Sequence, residues 1–287
     1  MAEHPLQTLM ESRVFDLEQP RYPGAPVMPA HEPGFWLFLH RRHEAEPAEA
    51  RTSASGVINA TEHSGTHIDA LCHQAEGGVL CDGTRVSPEI QTQHGISHLD
   101  CATIDPILCR GVLIDVAAVA GADASGGAAS AEGGGGSGGS GADSAEEVPQ
   151  LIGPELLQRA LARQGTELRA GDAVLVSTGN GAHFADRQRY EAGPGISGPA
   201  SAWLASHEPR LVGADNLAWD LPGHRDPELG LTLPGHVHLI CRAGIHIIEN
   251  LLLEELAAAG AYEFTFVCLP LKMRGATASP VRPLALA

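Results

Sequence analysis

The 287-residue chain lacks long apolar runs and is poor in basic side chains. A membrane-spanning helix needs about 18 or more consecutive apolar residues, and the best candidate, around Leu251–Ala261, is interrupted by Glu254 and Glu255. The 18 basic side chains stand against 35 acidic ones, which gives a formal net charge of −17, whereas a nucleic-acid binder shows a basic surface. We therefore expect neither a membrane nor a nucleic acid as a partner.

Cysteine pairs and a leader pattern are also missing. The six cysteines form no CxxC pair and are sparse for this length, so we expect reduced, mostly buried thiols rather than a disulfide framework. The first twenty residues contain Glu3, Glu11, Arg13 and Asp16 and lack a basic stretch followed by an apolar one. These features predict a cytoplasmic protein.

One segment contains almost no large side chains. From Gly121 to Ser144, 21 of 24 residues are Gly, Ala or Ser. Such a segment cannot bury enough apolar surface to offset its chain entropy. We therefore predict a single domain over residues 1–287 that carries a flexible Gly/Ala/Ser-rich insertion at 121–144.

The rest of the chain shows both β-rich and helical patterns. Runs typical of strands are Arg13–Leu17, Gly111–Val119, Ala173–Thr178, Arg210–Ala214 and Tyr262–Pro270. Helical patterns cover Leu156–Gln164, which follows Gly153-Pro154-Glu155, and also Gly198–His207 and His236–Ala243. No repeat with a period of 20–50 residues is present, which argues against a solenoid or a propeller. The pattern predicts a compact α/β domain.

The most informative segment places three histidines and one aspartate close together in sequence. His63, His67, Asp69 and His73 stand at positions i, i+4, i+6 and i+10. Imidazole and carboxylate groups together form a ligand set that suits Zn²⁺, Mn²⁺ or Fe²⁺. The spacing therefore predicts a metal site.

An extended conformation explains how this segment could bind one ion. Ser64-Gly65 and the β-branched Thr66 and Ile68 disfavour a helix. On a strand, His67 and Asp69 project from the same side about 6.5–7 Å apart. A bend at Ser64-Gly65 would bring His63 back to the same ion. His73 would then lie beyond a short turn, where it could act on a substrate or on water.

Ten further histidines show no such spacing, and we expect them to be ordinary surface or core side chains. They are His4, His31, His40, His43, His94, His98, His183, His207, His224 and His246.

The segment from His63 to His73 resembles the HxGTHxDxPxH signature of the metal-dependent hydrolases called the cyclase family, which includes kynurenine formamidase and isatin hydrolase. Further similar segments are Val14-Phe15-Asp16-Leu17 with Pro26-Val27, Ala173–Gly179, Leu211-Val212-Gly213-Ala214-Asp215, Gly244–Leu251, Leu269-Pro270-Leu271-Lys272 and Ser279-Pro280-Val281-Arg282. The similarity covers nearly the whole chain apart from the Gly-rich insertion.

The resemblance implies a fold and a set of site residues. The fold is α/β, of the swivelling β/β/α type, with a mixed, barrel-like sheet flanked by helices, and members commonly form homo-oligomers such as homodimers. His63, His67 and Asp69 would be metal ligands, and His73 would be the general base. The cofactor would be one or two divalent ions, Zn or Mn.

Members with two ions use a further histidine and a glutamate near the C-terminus. Glu249 matches the glutamate, although a role in stabilising a helix is an alternative. His236 matches the histidine best, and His238 is the other candidate. Asp215 is either a neighbour of the site or a structural residue.

Two positions depart from the family pattern. Leu71 stands where the signature has proline, which leaves the ligands intact but alters the turn to His73. Met28 stands where kynurenine formamidases have a tryptophan that contacts the substrate, which weakens that identity for this chain. Phe35, Trp36 and Phe38 could instead line an apolar pocket, and core packing is an equally good interpretation.

The resemblance and the ligand pattern together predict a metal-dependent hydrolase that cleaves a C–N bond of a small amide, aryl formamide or lactam. The reaction would use a metal-activated water with His73 as the base. A lactone hydrolase, a dehydratase or a cyclase on the same metal site is an alternative. A metal-binding or small-molecule-binding protein without catalysis is another, although such a protein has no need of His73 as an extra base.

Overall fold

The computed structural model describes residues 11–46, 48–120 and 150–287. The insertion predicted at 121–144 lies outside these ranges. Among the described residues, no helix is long and apolar enough to cross a membrane. All six cysteines are described, and each is a free thiol, as the sequence predicts.

A nine-stranded mixed sheet forms the centre of the fold. In spatial order its strands are β1 (Val14–Asp16), β15 (Leu284–Leu286), β13 (Glu263–Cys268), β7 (Ile107–Asp115), β9 (Ala173–Ser177), β11 (Leu211–Ala214), β12 (His246–Glu249), β4 (His67–Asp69) and β14 (Ala278–Pro280). The four strands from β7 to β12 run parallel to one another, and the other neighbours pair antiparallel.

The sheet curls strongly, because a short connection joins strands near its opposite edges. β14 is an edge strand and β15 is second from the other edge, yet the chain passes from Pro280 to Leu284. Four residues span at most about 14 Å, whereas seven strand spacings in a flat sheet amount to about 34 Å. The two edges must therefore approach each other, and the predicted barrel-like sheet is confirmed.

Three small two-stranded sheets accompany the main one. They are β2 (Phe35–Arg41) with β3 (Ser55–Ala60), β5 (Gln91–Thr92) with β6 (Gly95–Ile96), and β8 (Leu151–Ile152) with β10 (Gly195–Ile196).

The helices are α1 (Pro154–Gln164), α2 (Arg187–Glu191), α3 (Gly198–Ala205), α4 (Pro234–His236), which continues as a π-helix over Val237–Ala243, and α5 (Glu254–Ala258). Helix α1 begins with a proline in its first turn and ends at Gly165, whose positive φ of 68° terminates the helix. Helix α3 follows Ser197, whose side chain accepts a hydrogen bond from the amide of Ala200.

Both faces of the sheet are buried, because successive residues of its central strands pack alternately in two different cores. On β7, Val112 and Ile114 belong to the core under helices α1 and α3, whereas Leu113 belongs to the core inside the curl. Ile247 and Ile248 on β12 divide between the two cores in the same way. The near-continuous apolar sequence of these strands follows from this double burial.

The predicted strands and helices correspond to elements of the structure, with one correction. The run Gly111–Val119 was expected to be a single strand, but β7 ends at Asp115 and residues 116–120 are helical. The carboxylate of Asp115 accepts a hydrogen bond from the amide of Ala118 at 3.0 Å. Such a bond satisfies an amide in the first turn of a helix, so the chain turns where its apolar run would allow a strand to continue.

Candidate metal centre

The centre of the site is the pairing of β4 with β12. Their antiparallel register places His67 opposite Glu249 and Ile68 opposite Ile248. Because side chains alternate along a strand, His67 and Asp69 project from one face while Ile68 packs in the core. The Nε2 atom of His67 lies 3.5 Å from Oε2 of Glu249 and 3.6 Å from Oδ1 of Asp69. The expected strand conformation of His67–Asp69 is confirmed.

A turn before β4 brings His63 to the same carboxylate. Gly65 has a φ of +64°, which a residue with a side chain rarely adopts. A Cβ atom there would also lie 2.9 Å from the guanidinium of Arg21, which donates hydrogen bonds to the carbonyls of Ser64 and Thr66. The predicted bend is present, and Nδ1 of His63 lies 3.0 Å from Oδ1 of Asp69.

His236 reaches the cluster from helix α4. The carboxylate of Asp220 accepts hydrogen bonds from the amides of Gly235 at 2.6 Å and His236 at 3.1 Å, and from Nδ1 of His236 at 2.7 Å. These bonds fix both the helix and the ring. The Nε2 atom of His236 consequently lies 3.6 Å from Oδ2 of Asp69 and 3.4 Å from Oε1 of Glu249.

His73 lies at the cleft side of this cluster, after a turn in which its amide donates to the carbonyl of Ala70 at 2.9 Å. Leu71, which replaces the proline of the family signature, is compatible with that turn. The ring of His73 is 4.1 Å from the ring of His63 and 6.0 Å from that of His236. His73 therefore faces both this cluster and the cleft.

The cleft above the cluster has a volume of about 600 Å³. It is lined by Ala30, His31, Ala60, Thr61, Glu62, His63, His73, Met273, Thr277 and Pro280. A cavity of about 650 Å³ lies at the other ends of the strands, beside Arg210 and His246, where the described residues bring no comparable group of ligands together.

His31 also lies beside the cluster, although its sequence context gave no reason to distinguish it from the ordinary histidines. Its ring stacks on that of His63 with centroids 4.3 Å apart and an interplanar angle of 15°. His31, His63 and His73 can each offer a nitrogen within 4.8 Å of the others. Its position depends on a turn, since the carbonyl of His31 accepts a hydrogen bond from the hydroxyl of Thr61 at 2.7 Å. No local spacing in the sequence reveals this contact.

Each of the three buried histidines uses one ring nitrogen for a protein hydrogen bond. Nδ1 of His67 donates to the carbonyl of Gly65 at 2.8 Å, and Nδ1 of His236 donates to Asp220. In His63 the order is reversed, since Nε2 faces the hydroxyl of Thr277 at 2.8 Å. The nitrogen that remains in each ring points at Asp69 or Glu249, as metal-ligating histidines require.

The histidines in this cluster have displaced pKa values. Burial opposes the charged form of His236, but the hydrogen bond to Asp220 and the contacts with Asp69 and Glu249 raise its pKa well above the ordinary value. Burial likewise opposes charge on His63, and Asp69 outweighs it, so the pKa of His63 is also raised.

The opposite shift occurs at two other imidazoles. Burial lowers the pKa of His67, which Asp69 and Glu249 only partly offset. Burial also lowers the pKa of His73 to about 3, and the neighbouring His63 and His236 add to the effect. Burial would raise the pKa of Asp69, but the surrounding imidazoles hold it well below its usual range. His67 and His73 are therefore neutral at neutral pH, and Asp69 is ionised.

The donor atoms fit a divalent cation. Nε2 of His67 and both carboxylate oxygens of Asp69 are buried, and they have no hydrogen-bond partner among the described residues. Buried polar atoms of this kind require a partner. Two ligands bound to one tetrahedral zinc at about 2.0–2.2 Å lie roughly 3.3–3.6 Å apart. Most of the separations above, between 3.4 and 3.6 Å, match that value.

Several other candidates lie outside the cluster. His238 is partly exposed on the π-helix, so the structure brings His236 and not His238 to Asp69. The carboxylate of Asp215 accepts hydrogen bonds from the amides of Thr178 and Gly179 and from the hydroxyl of Thr178. Asp215 therefore binds the loop that follows β9 to the end of β11.

Neither interpretation left open for Phe35, Trp36 and Phe38, a lining of an apolar pocket or packing in the core, describes the structure. These residues lie on β2, where Trp36 is 53% and Phe38 is 56% exposed, and the cleft does not include them. They also belong to none of the core clusters, and the β2–β3 hairpin forms a sheet of its own. Met28 instead packs beside Phe184, Tyr190 and Leu217.

Comparison with known proteins agrees with this geometry. The model of the cyclase family matches residues 15–221. A kynurenine formamidase of Bordetella avium is 34% identical over 270 residues, which cover 94% of this chain and 96% of that protein. A kynurenine formamidase of Sphingopyxis alaskensis is 27% identical over 277 residues, which cover 95% of this chain and 97% of that protein.

Solved structures share the fold. The crystal structure of a novel cyclase superposes with a TM-score of 0.76 at 26% identity, covering 98% of this chain and 89% of that one. Isatin hydrolase A from Ralstonia solanacearum gives a TM-score of 0.68 at 20% identity, covering 100% of this chain and 98% of that one. The resemblance found in the His63–His73 motif is therefore confirmed, and the chain belongs to the cyclase family.

Proposed function

We propose that this protein is a metal-dependent hydrolase that cleaves the C–N bond of a small amide, with aryl formamides and lactams as the substrate classes to test first. The observation that carries the proposal is the buried group of three imidazoles and two carboxylates at the floor of an open cleft, with His73 beside it. Membership in a family whose relatives include kynurenine formamidases supports the choice of a C–N bond.

His63, His67, Asp69, His236 and Glu249 are the proposed metal ligands. Oδ1 of Asp69 faces His63 and His67, whereas Oδ2 faces His236. This division supports one ion at His63, His67 and Asp69 and a second at Asp69, His236 and Glu249. The mixed nitrogen and oxygen donors suit both Zn²⁺ and Mn²⁺.

The reaction would need both a Lewis acid and a proton carrier. When bound, a divalent ion polarises a carbonyl and lowers the pKa of water to about 7. His73 is neutral at neutral pH because its pKa is lowered to about 3, so its ring can accept a proton from the attacking water and pass it to the leaving nitrogen. Met273 and Pro280 line the cleft and can exclude water from an apolar part of the substrate.

Removal of metal provides the first test. We expect chelator-treated protein to lose hydrolysis of N-formylanilines, lactams and cyclic imides, and to regain it with Zn²⁺ or Mn²⁺. Elemental analysis of the restored protein counts the ions per chain. Activity that is insensitive to the chelator would contradict the proposal, and so would full metal occupancy with turnover of lactones or esters but of no C–N substrate.

Substitution of His73 tests its role as the base. His73→Ala should retain the metal content of the wild type and lose about 10²- to 10⁴-fold in kcat, the range typical of a general base. His238→Ala is the matched control, since it removes a partly exposed histidine from the nearby π-helix. Loss of metal in His73→Ala would instead make His73 a ligand, because its ring can also approach Asp69 and His236.

Metal binding should release protons. The pKa values of His63 and His236 are raised, so each ring keeps its second proton to a higher pH than a free imidazole does and must lose that proton to coordinate an ion. The metal Kd should therefore fall as the pH rises from 6 to 8, by up to about 100-fold per pH unit for two protons. Calorimetric titrations in buffers of different ionisation enthalpy count the protons, and a pH-independent Kd would refute this expectation.

We further infer that two copies associate through the β2–β3 hairpin. One face of the hairpin exposes Trp36 and Phe38, and the other exposes Leu37 and Ile58. An isolated two-stranded hairpin is marginally stable in water, so these apolar faces need to be covered by another surface.

The proposal also includes a cytoplasmic location, which the six free thiols support.

A second copy of this chain offers a suitable cover. Leu108, Leu269 and Leu271 are 70%, 63% and 53% exposed on the body of the protein. The exposed hairpin and the three exposed leucines occur on the same chain. In a two-fold symmetric dimer the hairpin of each copy can therefore cover the leucines of the other.

The double substitution Phe38→Ser and Ile58→Ser should convert the protein to a monomer, because it places a hydroxyl on each apolar face. Light scattering after size exclusion measures the mass. Val14→Ser, which alters a 56% exposed residue on β1, should leave the dimer intact. A monomeric wild type, or a dimeric hairpin variant, would refute this interface.

A further inference from the structure

A chain of hydrogen bonds leads from His63 away from the proposed metal site. Nε2 of His63 lies 2.8 Å from the hydroxyl of Thr277. That hydroxyl donates in turn to Oε1 of Glu62, which also accepts the amide of Thr277 at 3.0 Å. His63 and Thr277 are separated by 214 residues in sequence.

The direction of each hydrogen bond follows from the groups involved. A carboxylate oxygen can only accept, so the single proton of the Thr277 hydroxyl goes to Glu62. The same hydroxyl must then accept from His63, whose Nε2 therefore carries a proton. With Nε2 committed to Thr277, Nδ1 of His63 is the nitrogen left to offer a lone pair to an ion once its own proton is lost, and it faces Asp69 at 3.0 Å.

His63 differs in this respect from the other two histidines of the cluster. The acceptor for His67 is the main-chain carbonyl of Gly65, and the acceptor for His236 is the buried Asp220. Their orientation is set by rigid or deeply buried groups. The orientation of His63 depends on two side chains that line the cleft, Thr277 and Glu62.

We propose that Thr277 and Glu62 are positioning residues that hold His63 in the tautomer protonated at Nε2 and thereby determine how tightly the protein binds its metal. This inference rests on the proposed function, in which His63 is a ligand. The negative charge of Glu62 polarises the hydroxyl of Thr277, and the hydroxyl polarises the ring of His63. The Nδ1 lone pair thereby becomes a stronger ligand for a cation, as it does when a carboxylate accepts the other N–H of a metal-bound histidine. Neither residue is one of the proposed ligands.

The main chain of Thr277 also contacts both ends of the segment that runs from His63 to Asp69. Its carbonyl accepts a hydrogen bond from the amide of Ala70 at 2.9 Å, just after Asp69, while its amide binds Glu62, just before His63. The main chain at Thr277 therefore bridges both ends of the ligand segment. A substitution that removes only the hydroxyl leaves these two backbone bonds in place.

Metal affinity is the measurement that tests the proposal. Thr277→Val keeps the shape and the backbone bonds but removes the hydroxyl, and its Kd for Zn²⁺ should be about 10- to 100-fold weaker. Thr277→Ser restores the hydroxyl and should return the Kd to within about threefold of the wild type. Thr265→Val, a partly buried threonine on β13, is the matched control and should leave the Kd unchanged. Competition with a zinc-binding dye provides the Kd without any assay of turnover.

A double substitution tests whether the two side chains act in series. Glu62→Gln retains an acceptor but removes the charge, so its Kd should also weaken, by less than that of Thr277→Val. Once the hydroxyl is absent, the change at Glu62 should add little, so the effects of the two substitutions should not multiply. Nitrogen chemical shifts of the His63 ring in the zinc form should show a proton on Nε2 in the wild type and a mixture of tautomers in Thr277→Val.

The outcomes separate this inference from the proposed function. A wild-type protein that binds no divalent ion would refute both. A wild type that binds zinc, with Thr277→Val within twofold of its Kd and with the same tautomer, would refute only the positioning role. Multiplicative effects of Thr277→Val and Glu62→Gln would also refute it, because they would show that the two side chains act independently.

Discussion

The site depends on one buried carboxylate. Asp69 lies on a three-residue strand between β12 and β14, is buried and ionised, and its two oxygens face imidazole nitrogens at 3.0–3.6 Å. Burial of an uncompensated charge costs several kcal/mol or more. The surrounding imidazoles lower that cost in the metal-free protein, and a divalent cation would remove it. The positions of His63, His67 and His236 are all explained by this requirement.

The arrangement also explains why the imidazoles differ in charge although they lie within a few ångströms of one another. His236 and His63 have carboxylates at hydrogen-bonding distance, which outweigh burial. His73 is set back towards the cleft, where burial and the neighbouring rings dominate. One group of side chains thus provides rings that hold a proton more tightly than a free imidazole, His63 and His236, and a ring that is neutral at neutral pH, His73. The distinction comes from placement alone, since the residue type is the same.

The sequence pattern was sufficient to predict the part of the site that lies within one short segment of the chain. The spacing of His63, His67 and Asp69, with Gly65 between them, predicted a bend followed by a strand, and the structure has both. His31 and Asp220 could not be found in this way, because their contacts arise when distant turns pack together. The same limit applies to β7, where an apolar run gave no sign that Asp115 ends the strand. The environment of Phe35, Trp36 and Phe38 was not predicted for a related reason, since an apolar sequence cannot distinguish a core strand from an exposed hairpin.

The connection between Pro280 and Leu284 closes the sheet, and it follows Thr277 by only a few residues. The segment from Thr277 to Leu284 therefore completes the barrel and the surroundings of His63 at the same time. During synthesis from the N-terminus, His63, His67 and Asp69 emerge long before Glu249 and Thr277 do. A growing chain can accordingly offer an ion no more than a partial set of donors, and the complete centre can form only after synthesis has passed Thr277.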